Sequence, residues 1–159
     1  MTSTETIPAA AVEEPLRHLA RDLAMRAAGA VGLAGIALIH LLDSISKFHE
    51  TPYLGWMYVA LMLGCLAVAG ALVSAHSREA WLAAIVLPAS AIVGYTLTRT
   101  TGLPQAHGDV GNWSEPLGLA ALFVEGVVVA VAAYALAALR PAPALAGPLR
   151  LSPAGARGR

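Results

Sequence analysis

The chain has 159 residues, of which 57% are hydrophobic and 13% are charged, and its formal net charge is zero. A soluble domain usually carries about 25% charged residues, so this composition argues for a membrane protein, and the zero charge gives no basic signal for nucleic acid. A single cysteine, Cys65, excludes an intrachain disulfide and a cysteine metal cluster.

The two ends of the chain differ in composition from its middle. Residues 1–13 are rich in Ser, Thr and Ala and predict a disordered tail, as do the Pro-, Ala- and Gly-rich residues 140–159. Residues 14–26 predict a basic amphipathic helix that lies on a membrane surface, or alternatively an arm that binds a partner. Its leucines share one face and its arginines lie away from that face: Leu16, Leu19 and Leu23, and Arg17, Arg21 and Arg26.

Four apolar segments fill residues 27–139. They run over 27–46, 53–75, 80–98 and 117–139. About 20 apolar residues in a helix cross a hydrocarbon core of ~30 Å, and backbone groups in lipid must be paired internally. The sequence therefore predicts an all-α, four-pass transmembrane helical bundle.

Basic residues set the predicted orientation. In a four-pass bundle eight of the ten fall on one side, and only Lys47 and Arg99 fall on the other. The positive-inside rule then places the N- and C-termini in the cytoplasm. Trp56 and Trp113 are predicted as interfacial anchors at the outer face, and Trp81 at the inner face.

Polar residues collect at the predicted outer face. The first helix contributes His40 and Asp43, the third Tyr95 and Arg99, and the fourth Glu125. An ionisable group inside a span is costly and needs a partner or a proton, so such groups are functional candidates. Two interpretations stay open: a buried polar network that fixes the helix register, or a site for a metal, a haem or quinone, or a proton relay.

The sequence has no strong motif for metal binding, haem binding or catalysis. His40, His49 and His107 with nearby carboxylates would suit zinc or copper, but no metal-ligand spacing supports them. A haem with two histidine ligands would need a loop histidine besides His40. The sequence therefore does not identify a cofactor, and a haem and a transition metal both remain open alternatives. There is no nucleophile elbow, phosphate-binding glycine loop or His-Glu-x-x-His motif, so no enzyme is indicated.

Helix-end signals surround the longest polar interval. Gly102 and Pro104 predict the end of the third helix. Ser114 or Asn112 is the expected N-cap of the fourth helix, with Pro116 in its first turn.

Several segments carry a family resemblance. They are Thr98-Arg99-Thr100-Thr101-Gly102-Leu103-Pro104, Gly111-Asn112-Trp113-Ser114-Glu115-Pro116-Leu117-Gly118, Leu122-Phe123-Val124-Glu125-Gly126, His40-Leu41-Leu42-Asp43 and Glu50-Thr51-Pro52-Tyr53-Leu54-Gly55. Together they resemble uncharacterised four-helix integral membrane proteins of actinobacteria, over roughly residues 35–139. The resemblance implies a four-pass fold but assigns no activity to the chain, and the expected location is a bacterial cytoplasmic membrane. The chain is also similar, more weakly, to DoxX-like small membrane proteins, through its four helices and Lys47-Phe48 after the first.

Two function classes follow. The first is a non-enzymatic structural or accessory subunit with a polar network at its outer face. The second is a small redox, metal- or haem-binding, or proton-handling membrane protein that uses His40, Asp43, Arg99 and Glu125. Expected partners are the lipid bilayer and either a second copy of the chain or another protein of a membrane complex.

Overall fold

The computed structural model describes residues 9–74 and 77–139, which form four long helices. This architecture confirms the predicted all-α, four-helix fold. A short 3-10 helix, His107–Asp109, interrupts the loop between the third and fourth helices. The long helices are α1 Ala9–Glu50, α2 Pro52–Ser74, α3 Arg78–Thr100 and α4 Pro116–Ala138.

Helix α1 is longer than the apolar pattern suggests. The segment 14–26 is continuous with the first apolar span in one helix of 42 residues, because no proline follows Pro15 in it. Residues 9–13 begin this helix, where the sequence predicted a tail. The surface placement of 14–26 stays a prediction, and residues 1–8 and 140–159 lie outside the described residues.

The other three helices begin and end within two residues of the predicted spans. Ser77 caps α3, with its Oγ accepting a hydrogen bond from the Ala80 amide at 3.2 Å. At the start of α4 the N-cap is Glu115, not Ser114 or Asn112, and no side chain caps the helix. Pro116 occupies the first position of α4, as its fixed φ and missing N–H allow.

The core lies where α1 contacts α2 and α4. Leu33 and Ile36 of α1, Leu72 of α2 and Val128 of α4 are almost fully buried there. Gly32 lets α1 approach α4, since a Cβ at this position would collide with the Val128 side chain. Close approach through a small residue is the usual way in which helices pack in a membrane.

Trp81 belongs to this core. Its side chain is only 5% exposed, and its ring carbon Cζ3 lies 3.1 Å from where a Cβ on Gly29 would be. The interpretation of Trp81 as an interfacial anchor is therefore replaced by a packing role. Trp56 and Trp113 are 67% and 46% exposed, as anchors must be.

Large apolar side chains cover the outside of the bundle. Phe123 is 73% exposed, Val31 72% and Ile45 70%. All four helices are long and apolar enough to cross a membrane. So many exposed apolar side chains are unfavourable in water but favourable against lipid chains, so we describe the bundle as a multi-pass membrane domain.

The bundle has two different ends. One, here called the Arg26 end, is closed by Arg26, whose Nε donates a 2.6 Å hydrogen bond to the Leu72 carbonyl near the end of α2. The other, here called the long-loop end, carries the loop of residues 101–115, which we call the long loop. The predicted polar cluster lies toward the long-loop end.

Candidate functional site

The long loop has a defined conformation. Gly102 and Gly111 have φ of 75° and 81°, and Gln105 has φ of 64°, so three residues adopt the left-handed region. Gly102 follows the end of α3 and its amide donates to the Leu97 carbonyl at 3.0 Å, as the sequence predicted for a helix stop. The Gly111 amide donates to the Arg99 carbonyl at 2.9 Å, which returns the loop to the end of α3.

Arg99 ties this loop to the bundle. Its side chain is almost fully buried, its Nη2 is paired with Glu115, and its Nη1 lies 3.0 Å from Asp109 Oδ1. The guanidinium also lies over the Tyr95 ring, 4.8 Å from the ring centre. A rigid guanidinium with several donors suits such a site, because it can hold two carboxylates at once.

Lys47 of α1 joins the same group of charges. Its Nζ lies 3.4 Å from Asp109 Oδ2 and 3.1 Å from Glu50 Oε2. Asp109 thus bridges α1 and α3 through one carboxylate. We call Lys47, Glu50, Arg99, Asp109 and Glu115 the ion-pair cluster.

Beneath the ion-pair cluster, His40 of α1 faces Glu125 of α4. His40 Nε2 lies 3.7 Å from Glu125 Oε1, and both side chains are buried. His40 Nδ1 lies 3.0 Å from the Ile36 carbonyl, so Nδ1 carries a proton and Nε2 faces the carboxyl group.

Tyr58 of α2 is a member of the site that the sequence analysis missed. Its hydroxyl donates to Asp43 Oδ2 at 3.2 Å, and its ring meets the His40 ring edge-on at 4.8 Å. The spacing of the two residues around the loop could have indicated this contact, because Asp43 lies eight residues before Thr51 and Tyr58 lies seven after it. Two antiparallel helices joined at Thr51 bring such positions to the same depth.

The predicted residue Tyr95 lies at the junction of α3 and the loop. Its hydroxyl donates to the Trp113 carbonyl at 3.4 Å, and the two rings are 6.1 Å apart. Its ring also packs against Gly118, where a Cβ would lie 2.5 Å from Tyr95 Cε2. Tyr95 therefore fixes the start of α4 against the end of α3.

All five predicted cluster residues line one cavity near the long-loop end. Its volume is about 180 Å³, and all four helices contribute to its walls. Met57 of α2 and Ser90 of α3 are exposed and line it, so it opens between α2 and α3. The polar residues on its walls are His40, Asp43, Lys47, Tyr58, Ser90, Tyr95, Thr98, Arg99, Asp109, Glu115 and Glu125.

The three predicted metal ligands are dispersed. His40 is buried in the bundle. His49 is exposed near the C-terminal end of α1, and His107 is exposed as the first residue of the 3-10 helix in the long loop. Within residues 9–74 and 77–139, no three His, Cys, Asp or Glu side chains are placed to hold a metal ion. The cavity also does not fit a haem, because sites for drug-sized ligands span about 300–1,000 Å³.

Comparison of the chain with protein-family models, with curated proteins and with solved structures finds no match.

Proposed function

We propose that this protein is a non-enzymatic structural or accessory subunit of the bacterial cytoplasmic membrane, with both termini in the cytoplasm. The supporting observation is the ion-pair cluster, which holds the long loop in one conformation over the bundle. The loop leaves Val110 and Trp113 46% exposed. Apolar side chains on a fixed loop suit contact with a partner, either a second copy or another membrane protein.

The charge distribution supports the proposed orientation. Arg17, Arg21, Arg26 and Arg78 lie toward the Arg26 end, and only Lys47 and Arg99 lie toward the other end. The arginine-rich end is the one that the positive-inside rule assigns to the cytoplasm. The long loop is then on the outer face.

Cysteine labelling tests the orientation. In a Cys65→Ser background, Asn112→Cys reports on the long loop and Ser74→Cys on the Arg26 end, since both positions are exposed. We expect a membrane-impermeant maleimide to label Asn112→Cys in intact cells, and Ser74→Cys only after lysis. Labelling of the two variants in the opposite order would show that the bundle is inverted.

Photo-cross-linking tests the accessory role. A benzoylphenylalanine at Val110 in the full-length protein is expected to give a discrete protein adduct in cells. The matched control is Phe123, which is 73% exposed on the lipid-facing side of α4 and should give no discrete protein adduct. An adduct of twice the chain mass would identify a second copy, and any other mass a different protein. If Val110 gives no adduct, the accessory proposal fails.

A proton-handling protein is the second candidate. The His40–Glu125 pair favours it over a redox or metal protein, since the two groups face each other at 3.7 Å on a cavity wall. A protein of this kind acts without a partner at the long loop, so absence of cross-links at Val110 would favour it. Loss of proton movement in Glu125→Gln proteoliposomes would then be the next observation to seek.

We also propose that the chain belongs to the group of four-helix actinobacterial membrane proteins that it resembles. The four-helix bundle agrees with that group's implied fold. The resembling segments 40–43, 50–55, 98–104, 111–118 and 122–126 include His40, Asp43, Arg99, Glu115 and Glu125, all on the cavity wall. The residues that carry the resemblance are therefore concentrated at the candidate site.

A further inference from the structure

The cavity walls carry more negative than positive groups. Four carboxylates line the cavity, and they face two basic side chains, Lys47 and Arg99. Both basic groups form ion pairs within the ion-pair cluster, although Nε and Nη1 of Arg99 make no hydrogen bond within the described residues. In the described part of the chain, neither Asp43 nor Glu125 forms an ion pair with a lysine or arginine. The unbalanced charge of the cavity is therefore negative.

Glu125 has an unmet capacity to accept hydrogen bonds. Its side chain is 2% exposed, yet no hydrogen bond reaches its carboxyl group from residues 9–74 or 77–139. His40 Nε2, at 3.7 Å, is beyond hydrogen-bond distance. Because the Glu125 carboxyl group lines the cavity, a donor that enters the cavity gains this interaction.

The remaining walls suit the organic part of a ligand. Tyr58 and Tyr95 present aromatic rings, and Leu54, Leu61 and Leu122 supply apolar contacts. Aromatic rings attract cations, and apolar walls favour a ligand that carries hydrocarbon. An aliphatic cavity of about 150 Å³ holds a benzene molecule, so about 180 Å³ suits a single ring or a short alkyl chain.

We propose that this cavity binds a small organic monocation, an ammonium group on a single ring or a short alkyl chain, which enters between α2 and α3. The ammonium donates to Glu125, and Asp43 adds a second negative group on the α1 side of the wall. The hydrocarbon lies against Tyr58 and the leucines. This site goes beyond the accessory role, and neither proposal requires the other.

Calorimetry on the purified full-length protein in detergent tests the proposal with three probes of matched shape. They are 2-phenylethylammonium, the neutral 2-phenylethanol and the anionic phenylacetate. We expect saturable binding of the cation at one molecule per chain, with at least about tenfold weaker binding of the other two. Equal binding of the alcohol, stronger binding of phenylacetate, or no saturable binding of the cation would each overturn the proposal.

Two variants locate the binding within the cavity. Glu125→Gln removes the negative charge, and Gly94→Leu places a side chain in the cavity, where a Cβ on Gly94 meets no atom within 4 Å. We expect each to weaken binding of 2-phenylethylammonium at least about tenfold. The matched controls are Glu79→Gln and Gly70→Leu, outside the cavity, and they should bind like the wild type. Unchanged binding in Gly94→Leu would overturn the site even if Glu125→Gln failed to fold.

Discussion

Replacing Arg99 with alanine is expected to lower the free energy of unfolding by about 2–3 kcal/mol. The substitution leaves Asp109 and Glu115 without their buried cation and next to each other, with Lys47 as the nearest remaining base. Removing one partner of a fully buried pair costs about 3–5 kcal/mol, and the value here is smaller because both carboxylates are partly exposed. Titration of the purified protein with sodium dodecyl sulfate in mixed micelles, followed by circular dichroism, measures this change.

Arg78→Ala is the matched control for Arg99. Arg78 begins α3 at the Arg26 end and is exposed, so its truncation should change the unfolding free energy by less than about 1 kcal/mol. If Arg99→Ala is no more destabilising than Arg78→Ala, the ion-pair cluster does not stabilise the bundle, and the structural role described for it is contradicted.

Gly32→Leu is expected to destabilise the bundle by about 1–3 kcal/mol through overpacking. A Cβ at Gly32 already collides with the Val128 side chain, and the further atoms of leucine would push α1 away from α4. The same separation would pull His40 away from Glu125, because these residues lie on the same pair of helices. The unfolding titration used for Arg99→Ala also measures this effect.

Gly126→Leu controls for the change from glycine to leucine. Gly126 lies one residue after Glu125 in α4, and a Cβ there meets no atom within 4 Å. A leucine at this exposed position gains helix propensity and faces lipid, so its stability should equal or exceed that of the wild type. Equal effects of Gly32→Leu and Gly126→Leu would contradict the close approach of α1 to α4.

The helices could be predicted because the signal for a membrane span is local. Each apolar run of about 20 residues specifies a helix whatever its neighbours are. The continuous α1 was harder to predict, because the change from an amphipathic to an apolar pattern near residue 26 marks a change of surroundings and not a helix end. Trp81 was misassigned because an aromatic residue near a helix end can face either lipid or the core.

The arrangement of the site depended on contacts between distant residues. His40, Asp43, Tyr95, Arg99 and Glu125 could be collected from their depth in the spans, and they do line one cavity. The partners of these residues could not be predicted from the sequence, since Asp109 reaches Lys47 and Arg99 only through the folded long loop. That fold relies on Gln105 at positive φ, a conformation that no local sequence rule predicted.

Hydrogen exchange of the long loop tests most directly the claim that the ion-pair cluster fixes this loop over the bundle. The amides of Gly102, Ala106, Gly111 and Asn112 donate hydrogen bonds in the folded loop. We expect peptides that cover residues 101–115 to exchange slowly in the wild-type protein and much faster in Arg99→Ala, while α2 is unchanged. If the wild-type loop exchanges as fast as an unstructured peptide, the loop is not fixed and the account is contradicted.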